Sequence, residues 1–226
     1  MEAAAKADRF KNLLVEKLGD RVECVVLTGS RARGDARADS DIDVWIFLKE
    51  VSDGAIEDVG RIVAALGRYP EINPQCLTFD EARRAGFRKA FSVVQLRMDG
   101  IVLHGELKLP APTREEIRQD AAELAVAALM SARHYISVCE PQEALLHKLD
   151  RFVLKPLVWA IRYDVLLSSG RYHKDAQRLC EAIADDDRRM LVQVHLDLRC
   201  GTFNGPCTPI IRTAASVAGQ MIGDNL

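Results

Sequence analysis

Gly29-Ser30-Arg31-Ala32-Arg33-Gly34, six residues ending in Ser40, and then Asp41-Ile42-Asp43 form the stretch that decides how this chain folds. A short apolar run, Val22 to Leu27, leads into it, and a second, Val44 to Leu48, leaves it. The pattern predicts strand, glycine turn, short helix, loop and strand. Side chains two apart on a strand project from the same face. Asp41 and Asp43 are therefore expected to point the same way at the strand end nearest the glycine turn. Two carboxylates held close repel unless protonated or bridged by cations, and hard oxygen ligands suit Mg²⁺. The backbone N–H groups of the turn and the Ser30 hydroxyl, opening a helix, form an anion cradle. A phosphate cradle beside metal-binding carboxylates implies chemistry on a nucleoside triphosphate.

Gly29, Ser30, Gly34, Ser40, Asp41 and Asp43 resemble, position for position, the signature of the DNA polymerase β-like nucleotidyltransferase superfamily. The spacing is most similar to that of the small bacterial nucleotidyltransferases and the aminoglycoside adenylyltransferases. The resemblance implies an α+β chain. A mixed-sheet nucleotidyltransferase domain over residues 1–108 would precede an all-α helical-bundle domain over 112–226. It further implies Mg²⁺-dependent transfer of a nucleoside monophosphate, AMP from ATP, onto a hydroxyl of a small molecule such as an aminoglycoside, or of a protein. Asp41 and Asp43 would hold the metal, and Gly29 and Ser30 the β- and γ-phosphates, with Arg31 and Ser40 also on the nucleotide. Arg33 and Arg37 are further arginines that could face the triphosphate. The alternative reading is a non-catalytic nucleotide-binding or antitoxin-type regulatory protein of the same fold.

The superfamily pattern expects a third carboxylate on a neighbouring strand, where this chain has Asn73. Glu71, two residues earlier on the same strand face, is the candidate to reach in its place. For the general base, Glu71, Glu123, Glu140 and Glu143 remain open. Arg162, Ser169-Gly170 and Lys174-Asp175 are similar to the Arg…Thr-Gly…Ser-Lys segment of streptomycin/spectinomycin-type adenylyltransferases, with a shorter gap from glycine to lysine. That similarity implies a helical domain closing over the nucleotide, with Arg162 and Lys174 on its phosphates. Arg189 and His195 loosely match the Arg…His signature of HEPN ribonuclease domains. Six residues along one helix, however, they would stand about 240° apart.

The 226 residues suffice for one large domain or two small ones. Hydrophobic content of 48% and charged content of 28% are those of an ordinary globular protein, and a formal net charge of −2 disfavours a non-specific nucleic-acid binder. The first residues lack the apolar core of a signal peptide, and no run is long enough to span a membrane. The six cysteines are scattered without a Cys-x-x-Cys pair, which disfavours a zinc site and fits a reduced cytoplasm. Expected partners are a nucleoside triphosphate and a small-molecule or protein acceptor, and a homodimer is compatible with the chain.

Residues 2–18 read as an amphipathic helix through Phe10, Leu13, Leu14 and Leu18, stopped by Gly19. Asp41 to Leu48, apolar on both faces after Asp43, reads as a central strand. A helix is expected over Ile56 to Leu66. A strand follows over Ile72 to Phe79, with Pro74 arguing for an edge or a bulge. Asp80 is read as capping a short helix through Arg84, followed by a helix over Phe87 to Arg97 and a strand over Gly100 to Gly105. After a linker at 106–112, Thr113-Arg114-Glu115-Glu116 is a capping-box start. Helices are predicted near 113–138, 142–168, 174–185, 187–199 and 208–222, with Pro156 kinking the second.

Overall fold

Val22–Leu27 (β1) and Ile42–Leu48 (β2) pair antiparallel, with Leu27 opposite Val44 and Val22 opposite Leu48. This is the fold's first decision: it brings the end of β1 and the start of β2 together at one end of the sheet. A computed structural model describes residues 2–37, 40–84 and 93–225. Within it, Ile72–Leu77 (β3) adds parallel to β2 and Ile101–Gly105 (β4) antiparallel to β1. The order is β3-β2-β1-β4, so β2 is central as its two apolar faces predict, and the Pro74-bearing β3 lies at an edge. Pro74 has no N–H to give a ladder, which an edge strand tolerates.

Alternation along the strands feeds two cores. Val25, Val44, Ile46 and Leu48 pack with Phe10, Leu14 and Leu18 of Ala3–Leu18 (α1) and with Ala55, Val59 and Ile62 of Asp53–Ala65 (α3). Cys24, Val26 and Phe47 face the other way, onto Phe79 of Phe79–Arg83 (α4) and Leu96 of Val93–Asp99 (α5). Helix α3 starts three residues before the predicted Ile56, because the Ser52 hydroxyl accepts the Ala55 N–H and caps it there. The short helix after β3 is capped by Thr78, not Asp80: Thr78 and Glu81 form a reciprocal capping box. The helix expected over Phe87 to Arg97 falls partly outside the described residues, and its described part is α5.

The chain divides into two compact units, Met1–Pro112 and Thr113–Leu226. The second is helical. Arg114–Val138 (α6) opens with the predicted capping box: Thr113 accepts the Glu116 N–H at 3.2 Å, and Glu116 accepts the Thr113 N–H at 2.7 Å. Gln142–Lys148 (α7), a π-helical stretch over Leu149–Leu154, and Lys155–Ser169 (α8) form one continuous run. Pro156 cannot donate to the carbonyl four residues back. The position at which a kink is expected thus falls in the first turn of α8, directly after the π-helical stretch. Ala176–Ala182 (α9), Asp186–Cys200 (α10) and Cys207–Asn225 (α11) complete the unit. Its core, including Leu149, Leu157, Ile161, Leu191 and Ile211, is made from its own residues. The architecture is α+β: a mixed four-stranded sheet with its helices, followed by a helical region. No helix among the described residues is long and apolar enough to cross a membrane.

Candidate active site

The antiparallel β1–β2 ladder does not end at Leu27. The Thr28 N–H donates to the Asp43 carbonyl at 2.9 Å, and the Thr28 hydroxyl lies 3.4 Å from the same oxygen. That pairing seats the next residue, Gly29, against the Asp43 side chain. Gly29 has φ +70°, and a Cβ built on it would run into Asp43 Oδ2. Only a residue without a side chain fits between this turn and that carboxylate. Gly29–Arg33 (α2) then turns away and ends at Gly34, in the left-handed conformation. Gly29, Ser30 and Asp43 are thus drawn to one corner, the end of β1 beside the start of β2. Asp41, exposed, lies just ahead of β2 and two residues from Asp43.

Arg31 and Arg33 leave α2 in service of the loop that follows. The Arg31 Nε donates to the carbonyls of Asp41 at 3.0 Å and Ser40 at 3.2 Å, and its Nη2 also donates to Ser40. Ser40 in turn accepts the Arg37 N–H on its hydroxyl at 2.9 Å and donates its own N–H to the Arg37 carbonyl. Arg33 is not an exposed loop arginine. Its side chain is 5% exposed and reaches Asp35 at 3.3 Å and Asp99, itself fully buried, at 3.5 Å. The loop leading to Asp41 is therefore gripped at both ends by one short helix. Sequence spacing gave no signal for this, because Asp99 lies 66 positions from Arg33.

The neighbouring strand completes the corner. In the parallel β2–β3 register Asp43 sits opposite Asn73, and Asn73 Nδ2 donates to Asp43 Oδ1 at 3.0 Å. Glu71 is exposed, and its carbonyl accepts the Ile42 N–H at 2.7 Å. Among the described residues, no group of three or more His, Cys, Asp or Glu side chains is gathered to hold a metal ion. The donor set is thus a pair of hard carboxylates with an amide beside them. That suits Mg²⁺, which takes one or two protein carboxylates and fills its other positions with water and substrate phosphate oxygens.

In the helical unit, Arg162 is buried in α8, its guanidinium 4.4 Å from the Trp159 ring centroid. Gly170 ends α8 in the left-handed conformation, as its position predicts. Lys174 is half-buried in the connection that follows, just before Asp175, which caps α9 by accepting the Arg178 N–H at 2.8 Å. Glu140 is ion-paired with Lys148 and Glu123 accepts from Gln119, while Glu143 is exposed. Arg189 and His195 do not converge. Arg189 bonds Asp186, and His195 bonds Asp150 of the π-helical stretch at 2.6 Å.

The glycine turn thus closes onto a carboxylate at the junction of β1 and β2. The family described as Nucleotidyltransferase domain matches residues 7–104. The curated protein named "Putative protein adenylyltransferase MJ0141" from Methanocaldococcus jannaschii is 35% identical over 69 residues, 30% of this chain and 68% of that protein. The chain belongs to the nucleotidyltransferase domain family and is a nucleotidyltransferase. In fold it is similar to the spectinomycin adenyltransferase AAD(9) from Enterococcus faecialis, solved with ATP and spectinomycin. That likeness has a TM-score of 0.61 at 11% identity and covers 97% of this chain and 99% of that one.

Proposed function

We propose that this enzyme moves AMP from ATP onto a hydroxyl group of a small, polyhydroxylated acceptor of the aminoglycoside kind. The observation that carries the reading is the closure of Gly29 onto Asp43, which sets a turn rich in N–H groups against a carboxylate. The fold likeness to a spectinomycin adenyltransferase supports the small-molecule acceptor. The relative named as a protein adenylyltransferase supports a protein acceptor as the second reading.

In this reading Gly29 and Ser30 receive the β- and γ-phosphates, and Asp41 and Asp43 hold Mg²⁺. When bound, the ion supplies charge neutralisation at the phosphate oxygens. Arg31 serves the nucleotide by fixing Ser40 and Asp41 through their carbonyls. The acceptor hydroxyl attacks the α-phosphorus, the bond to the pyrophosphate oxygen breaks, and pyrophosphate leaves. Glu71 is the candidate near the carboxylate pair to take the hydroxyl proton. Lys174 and Arg162 are assigned to nucleotide binding on the resemblance of their segment alone.

Transfer of label from α-labelled ATP with Mg²⁺ to a panel of aminoglycosides, to mixed proteins and to the enzyme itself tests the proposal. Labelled aminoglycoside is expected, and Asp43→Asn abolishes it. Label on protein alone supports the second reading. ATP binding without transfer to any acceptor supports the non-catalytic alternative.

A further inference from the structure

We propose that Asn73 sets the number of divalent cations this site takes before a nucleotide arrives: one, held by Asp41 and Asp43. The inference rests on the proposed role of those two aspartates and deepens it.

The parallel register places Asn73 directly opposite Asp43, and the two side chains meet at 3.0 Å. A carboxylate only accepts hydrogen bonds, so the amide must turn its NH₂ towards Asp43. The amide oxygen then faces Gln75, whose Nε2 lies 3.5 Å away, long for a hydrogen bond. Asp43 thus takes the Asn73 donor on Oδ1, while its Oδ2 lies where a side chain on Gly29 would have to stand. The Asn73 side chain brings the same shape as an aspartate to this position but no charge. A carboxylate there would stand against Asp43 and repel it unless a cation lay between them. With the amide, two negative charges remain, which one divalent cation offsets. Among the described residues no third carboxylate, Glu71 included, is gathered with this pair, so a second cation must come with the negative charge of a triphosphate. Asn73 is exposed on an edge strand, so replacing it disturbs no core.

The test uses the full-length protein without nucleotide, with Mn²⁺ as the probe, read by titration calorimetry and by the electron paramagnetic resonance of free Mn²⁺. The wild type is expected to bind one ion, and Asp43→Asn to lose it. Asn73→Asp should take up a second ion, with total affinity at least about tenfold tighter. In chelator, its melting temperature should fall below that of the wild type. Asn73→Ala removes the donor without adding charge and should still bind one ion.

Two ions on the nucleotide-free wild type would overturn the inference. So would an Asn73→Asp protein that matches the wild type in stoichiometry and affinity while Asp43→Asn loses binding; the carboxylate site would then stand without it. Mn²⁺ uptake indifferent to Asp43→Asn would instead overturn the carboxylate assignment, and this inference with it.

Discussion

Gly29 and Gly34 bracket the same short helix, and both have positive φ, yet different physics requires them. At Gly34, with φ +85°, an added Cβ meets nothing within 4 Å, so alanine there pays only the backbone penalty. Gly34→Ala should therefore lower stability by about 1–2 kcal/mol, the usual cost of a side chain in the left-handed region, and leave transfer activity in place. Gly29→Ala carries that penalty and also drives a methyl into the Asp43 carboxylate. It should destabilise more and abolish transfer, and denaturant titration with a transfer assay on both variants separates the two cases. The importance of Gly29 was legible in sequence, since the turn and both aspartates fall in one local register. The Asn73–Asp43 hydrogen bond was not. It depends on how β3 slides against β2, and a pairing across 30 positions leaves no periodic trace.

At the scale of elements, the five-residue α2 is too short to be stable by itself. Its arginines hold it in place. Arg33 crosses to Asp99 at the end of α5, and both side chains are almost wholly withdrawn from solvent. Removing one partner of a buried pair leaves the other charge without that compensation, typically at about 3–5 kcal/mol. Arg33→Met should cost that much in urea denaturation, while Arg33→Met with Asp99→Leu should recover part of the loss. Other elements were readable because their signals are local. The Thr113 capping box and the glycine end of α8 lie where the sequence puts them. The cap of α4 is Thr78 and not Asp80 because β3 ends at Leu77, two residues before the expected Phe79, which frees Thr78 to cap.

At the scale of the molecule, each hydrophobic core among the described residues is built within one unit. The two sheet cores use residues 7 to 109, and the helical core uses residues 124 to 222 with its packed flanks. We therefore propose that the boundary at Pro112 and Thr113 separates independently folding domains. Residues 113–226 expressed alone should melt cooperatively with a helical circular-dichroism spectrum; a non-cooperative melt would count against it. The thiols give a second whole-molecule test. All six are free, and Cys24 is buried, its thiol pushed from 9.0 up to about 11 by burial, with Glu106 and Glu23 adding and Lys108 opposing. Burial also raises Cys76, Cys180 and Cys207. A thiol that ionises later in the folded than in the unfolded chain contributes stability that is complete below the unfolded value and is lost as pH rises towards the folded one. Stability should therefore decline between about pH 9 and 11, and Cys24→Ala should show a shallower decline by urea denaturation.

The π-helical stretch Leu149–Leu154 has a consequence for how this chain is aligned with others. A π turn holds more residues for its rise than an α turn does, so the stretch acts as a frame shift absorbed within one helix. Asp150, within the stretch, bonds His195. Deleting a single residue between 149 and 154 would return the run to one α-helical phase at the expense of that pair. Relatives with an unbroken α-helix here are expected to show a one-position gap, and a residue other than histidine at the position of His195.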